Sequence, residues 1–139
     1  MYGRKIFQRT LAAILVAMFT IFGAAVAHAE IKTYEGVGEY SIEDKTIAFA
    51  KSQAELIAQR DALEQVKFFI KSDSHMVNGI LKEDEIIAIS AGILRVINTK
   101  FEIIDDESDS RIKAFVTAEI DTVELARLLD EAVKSKQNH

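Results

Sequence analysis

The sequence has no cysteine and no proline, and only three histidines in 139 residues. Each shortage removes a class of explanation. Without cysteine there is no disulfide staple, no thiol nucleophile, no thiolate metal cluster and no site for lipid attachment at a cysteine. A serine or threonine nucleophile needs a nearby base. Outside the first 29 residues the only histidines are His75, in a stretch of turn formers, and His139, at the end of the chain. His75 beside Met76 is two residues, too few for a coordination shell, and it reads as a solvated turn histidine. Ser90-Ala91-Gly92 lacks the context of a nucleophile elbow. The pairs Asp84 with Glu85 and Asp105 with Asp106 lie in polar segments, without the desolvation that separates two carboxylate pKa values. The chain also lacks any run of lysine or arginine, which argues against nucleic acid and against electrostatic capture by anionic lipid. The expectation is a non-enzymatic protein with no catalytic group, cofactor or metal.

What is present begins with an address. Arg4, Lys5 and Arg9 precede an apolar run over residues 11–27, broken only by Thr20, and Ala27-His28-Ala29 supplies small residues at both cleavage-determining positions. This predicts a signal peptide over residues 1–29, cleaved after Ala29, and a periplasmic protein. An uncleaved anchor is the alternative, and membrane contact is then confined to that segment. Export without disulfides points to a bacterial envelope. Of 17 basic residues the leader holds three and none of the 22 acidic ones, so residues 30–139 carry 14 against 22, a formal charge of −8. That length suits one domain.

Within it the dominant stretch is residues 45–72, KTIAFAKSQAELIAQRDALEQVKFFIKS, with neither glycine nor proline and long enough for about eight helical turns. Ala50, Ala54, Ala58 and Ala62 recur every fourth residue and lead into Val66 and Ile70. That flank has little bulk and suits close packing on a sheet. Phe49, Leu56, Leu63 and Ile70 form a bulkier row seven apart. Ser41 or Asp44 is the expected N-cap, with acidic residues near the helix start.

Residues 31–40, IKTYEGVGEY, alternate as a strand with Gly36 and Gly38 on one face. Their gap suits close approach of the alanine row. A dinucleotide-binding loop fails here: Ser41 replaces the third glycine, Lys32 and Glu35 lie in the preceding strand, and no nicotinamide pool is expected outside the cytoplasm. After a turn at 72–79, Ile80 and Leu81 can return to the core. Residues 84–92 then suggest a short helix with an acidic first turn and Gly92 at its end, although the isoleucines also suit a strand.

Residues 93–104 and 111–120 read as a hairpin. In the second strand Ile112, Ala114, Val116, Ala118 and Ile120 alternate with Arg111, Lys113, Phe115, Thr117 and Glu119, predicting one buried and one wet face. The tip holds Asp105, Asp106, Glu107 and Asp109 but lacks the glycine and distal glutamate of a calcium loop. Asp121 or Thr122 then caps a terminal helix from 123 to about 135. The expected fold is α+β: a three-stranded, largely antiparallel sheet on one long helix, with a short second helix and a C-terminal one.

The segments AQRDALEQV (58–66), ILKEDEIIAISAGILR (80–95) and RIKAFVTAEID (111–121) resemble the LPP-twenty-type envelope lipoproteins and the N-terminal domain of flagellar assembly protein T. The resemblance spans residues 34–121 or so. It implies a small non-enzymatic α+β module of envelope assemblies, flagellar or outer-membrane, and supplies no catalytic residues. The resulting expectation is a module that docks a protein partner through the face bearing Phe115 and Thr117, or through a strand edge. The alternative is a soluble periplasmic protein that binds a small ligand between helix and sheet, where Gly36 and Gly38 leave room. Phe115 has its own alternative, a place beneath the terminal helix.

Overall fold

The computed structural model describes residues 28–73 and 79–139. Almost all of the expected leader, and the His75-Met76 pair, lie outside the described residues. In chain order the elements are β1 (Ile31–Ser41), α1 (Ile47–Ser72), α2 (Glu83–Ile93), β2 (Arg95–Asp106), β3 (Asp109–Asp121) and α3 (Thr122–Gln137). The strands form one antiparallel sheet in the order β1-β3-β2, giving an α+β fold with β3 central.

The pairing of small residues decides how the layers meet. Ala50, Ala54, Ala58, Ala62, Val66 and Ile70 all have no exposed surface, so the four-residue row is the buried face of α1. On the sheet, a Cβ placed on Gly36 would lie 1.9 Å from the Ala58 carbonyl oxygen, and one on Gly38 would lie 2.2 Å from that of Ala54. Helix backbone therefore rests directly on strand backbone, which only glycine permits. The contacts run antiparallel along α1 and β1. From the glycine notch towards Tyr34 the buried helix residues grow from alanine to Val66 and Ile70, as expected of a wedge that opens. Ile86 of α2 and Leu125, Leu129 and Val133 of α3 fill its wide end against Tyr34 and Ile120. Leu81 returns to the same cluster, buried, with Ile80 packed beside it.

The room imagined for a ligand at Gly36 and Gly38 is thus filled by α1. The seven-residue row divides: Phe49 and Leu56 are exposed, Leu63 is half-buried, and only Ile70 reaches the core. Contact as close as the glycine notch selects the side without bulk, so the larger residues are turned outward.

Helix ends also depart from expectation. Thr46 caps α1, its Oγ1 accepting from the Phe49 amide at 3.2 Å, and the first turn holds no acid. Ser41 is instead the last residue of β1, its hydroxyl donating to Asp109 Oδ1 at 3.1 Å. Asp44 takes a left-handed φ of 54° beside a turn in which the Lys45 amide donates to the Ile42 carbonyl. A tight turn fits here because asparagine and aspartate tolerate that conformation. The short segment is helical, with Glu85 accepting from the Lys82 amide at 2.7 Å. Gly92 does not stop it. The helix runs to Ile93, Gly92 has no positive φ, and nothing lies within 4 Å of a Cβ built on it. For α3, Asp121 is the cap, accepting from the amides of Val123 and Glu124.

The hairpin is longer than the pattern suggests. Strand pairing extends to Asp106 opposite Asp109, leaving Glu107 and Ser108 as the turn, and β2 starts at Arg95 because Ile93 closes α2. A bulge lies between Val96 and Asn98.

Candidate functional site

The alternation in β3 divides the sheet into two unlike faces. Ile112, Ala114, Val116, Ala118 and Ile120 are buried beneath the helices. Arg111, Lys113, Phe115, Thr117 and Glu119 point the other way, and among the described residues no helix covers them. Phe115 does not lie beneath α3, whose Leu125 and Leu129 pack with Tyr34 and Ile120 on the opposite face.

Strand register sets out this open face in rows. Phe115 lies between Val37 on β1 and Lys100 on β2; Thr117 lies between Glu35 and Asn98. These six line a shallow depression of about 280 Å³, with Phe115 half-buried by its neighbours and Val37 exposed. The Lys113 ammonium sits 5.5 Å from the Phe115 ring centroid. Around this apolar centre part of the charge is paired: Glu39 lies 3.3 Å from Lys113 and 3.1 Å from Arg111, and Arg95 lies 2.7 Å from Glu119. An aromatic ringed by polar groups has the composition of an interface anchor.

The acidic hairpin tip is tied into the same charge network. Arg111 lies 3.7 Å from Asp106 and 3.6 Å from Asp109, and the Ser110 hydroxyl donates to Asp105. Among the described residues no group of three or more histidine, aspartate or glutamate side chains is placed to hold a metal. Ser90 is fully buried within α2, its hydroxyl donating to the Ile86 carbonyl at 2.8 Å. Glu85 accepts from Lys136 at 2.6 Å as well as from the Lys82 amide, and these bonds hold its pKa below the usual carboxylate value.

The two sheet edges differ. On β1 the Val37 amide donates to Asp61 Oδ2 at 2.9 Å, and Gln65 Nε2 donates to the Glu35 carbonyl at 2.6 Å. Side chains of α1 thus occupy strand-edge groups that another strand would need. Asp61 and Gln65 stand in the segment AQRDALEQV, four apart on one side of the helix. That spacing was the available signal for this role, although it does not reveal which strand the pair would meet.

A second recess was not legible in the sequence. Lys32, Tyr34, Gln65, Phe68, Phe69 and Ser72 border an open groove of about 590 Å³. Tyr34 is only 7% exposed and its hydroxyl has no hydrogen-bond partner among the described residues. Burial pushes its pKa above the ordinary value. Lys32 Nζ sits 3.6 Å from the Phe69 ring centroid, while Phe68 is 76% exposed.

Compared with known proteins, the chain matches no family model, no curated protein and no solved structure.

Proposed function

We propose that this chain is a non-enzymatic interaction module of the bacterial cell envelope, exported through a leader that ends at Ala29 and serving an outer-membrane or flagellar assembly. Its protein partner docks on the open face of the sheet, with Phe115 as the anchor and Thr117 beside it. The observation that carries this reading is Phe115, half-buried at the centre of the sheet and uncovered among the described residues, whose helices all pack on the other side. The leader pattern and the family resemblance support the compartment. Docking removes the remaining surface of Phe115 and Val37 from water, and the paired charges around them impose orientation more than affinity.

The test is crosslinking in living cells followed by mass spectrometry, on the parent and on Phe115→Asp. The parent should capture a larger envelope protein, and the variant should fold normally yet lose at least about 2 kcal/mol of binding, as a buried aromatic anchor does. Collapse of the fold in Phe115→Asp, or equal capture by both forms, defeats the reading.

The orphaned Tyr34 hydroxyl favours a second reading, a carrier whose small ligand lies in the Lys32-Phe69 groove and accepts that hydrogen bond. Native mass spectrometry separates the two: a carrier purifies with a bound small molecule that Tyr34→Phe fails to retain.

A further inference from the structure

The edge of β2 carries the chemistry for pairing with itself. In an antiparallel pair, consecutive residues present their backbone groups alternately to the two sides. Glu35 and Val37 use theirs on the outer side of β1, where Gln65 and Asp61 meet them. The even residues of β1 therefore bond β3, and Lys113, Phe115 and Thr117 of β3 bond β2 through Glu102, Lys100 and Asn98. This leaves Thr99, Phe101 and Ile103 with amides and carbonyls on the free edge of β2. No strand lies there among the described residues. The bulge near Ile97 and the turn at Glu107 and Ser108 bound a regular run between them.

Two side-chain features accompany this edge. Ile103 belongs to the helix-side face, opposite Ile112, yet is 59% exposed, because α1 packs chiefly over β1 and β3. Lys100 and Glu102, on the open face, are both exposed, and neither has an ion-pair partner among the described residues.

We propose that two copies of this chain associate by antiparallel pairing of β2 with β2, about a twofold axis at Phe101. Free-edge residues must face free-edge residues, which limits the central registers to three. Thr99 opposite the partner's Phe101 sets Lys100 against Lys100. Phe101 opposite the partner's Ile103 sets Glu102 against Glu102. Only Phe101 opposite Phe101 sets Lys100 against Glu102, and symmetry makes that pair twice. The same register places Ile103 beside the partner's Thr99 and brings the two Phe101 rings together. The result is a six-stranded sheet, β1-β3-β2-β2-β3-β1, with all helices on one side. The β1 edge, already occupied by Asp61 and Gln65, ends it on both flanks. This association does not depend on what docks at Phe115.

The experiment is a charge exchange read by sedimentation velocity on the full chain, in whichever processed form the host yields. The parent should be dimeric. Lys100→Glu places glutamate against Glu102 at both positions and should raise the dimer dissociation constant by about tenfold or more; Glu102→Lys should do the same. An equimolar mixture of the two variants should dimerise again, since each chain then offers the charges that its partner lacks. A monomeric parent at the highest attainable concentration overturns the proposal, as does a dimer indifferent to either substitution or a mixture that fails to re-form. Should circular dichroism show either variant unfolded, Phe101→Cys decides. In a chain with no other cysteine, a short bismaleimide reagent should join two copies at residue 101, and failure to join them overturns the proposal.

Discussion

Adding one methyl group at Gly36 should be among the most damaging small changes this domain can receive. The new carbon would stand 1.9 Å from the Ala58 carbonyl oxygen, 2.9 Å from the Ala62 amide nitrogen and 3.0 Å from the Ala58 carbonyl carbon. All three are helix backbone, so no rotamer change relieves the contact, and α1 must move away by more than about 1 Å to reach ordinary van der Waals distance. That displacement loosens the fully buried row from Ala50 to Ile70 and strains the Asp61 and Gln65 bonds to β1. Overpacking of a tight core costs about 1–3 kcal/mol and sometimes more, against which alanine recovers about 0.4–1 kcal/mol by restricting the unfolded chain. Because the obstacle is backbone, Gly36→Ala belongs at the upper end, with a net loss of about 2–3 kcal/mol. At about 4–6 °C per kcal/mol for a domain of this size, the melting temperature should fall by roughly 10–15 °C. The matched control is Gly92→Ala, the same chemical change on α2 where a Cβ meets nothing within 4 Å. It should stabilise by about 0.5–1 kcal/mol. Thermal and urea unfolding of both variants beside the parent provide the measurement. Equal melting temperatures for Gly36→Ala and the parent would refute the idea that backbone contact holds the two layers together.

From the helix side of the same notch, Ala58→Leu should cost about 1–3 kcal/mol or more in urea unfolding, since Ala58 has no exposed surface. Replacing Asp105, Asp106 and Asp109 together by asparagine removes surface pairs with Arg111 and should lower stability by no more than about 1 kcal/mol. Calcium should leave the melting temperature of that variant unchanged, as in the parent, and a calcium-dependent rise in the parent would contradict this. Stability should also decline in acid. Lys71 and Lys67 hold the Glu83 carboxyl below its ordinary pKa of 4.5, and Lys136 together with the Lys82 amide does so for Glu85. A carboxylate whose folded pKa is depressed stabilises the fold above its unfolded pKa, and that contribution disappears as pH falls through the folded value. Lys136→Met should therefore flatten the acid limb of a melting-temperature profile below about pH 4.5.

Much of the architecture was legible in the sequence because periodicity is a local property. The four-residue alanine row required a helix with a slim face, and the alternation from Arg111 to Glu119 required a strand with one dry side. The glycine pair in β1 fixed which strand could accept that helix, since no other residue type admits backbone at such range. The position of Phe115 on the wet face followed from its parity with Arg111 and Thr117. Caps were harder: Ser41, Asp44 and Thr46 are all competent, and Thr46 prevails because β1 takes Ser41 and a tight turn takes Asp44. Composition could not decide which flank of α1 stays wet, because Phe49 and Leu56 are as apolar as the residues that are buried. Strand order was equally beyond local pattern. Only after β3 enters between β1 and β2 do Asp61 and Gln65 meet an exposed edge and Phe115 become the middle of an open face. The Asp61 and Gln65 bonds join residues 24 and 30 positions apart, a consequence of chain packing that no short window of sequence encodes.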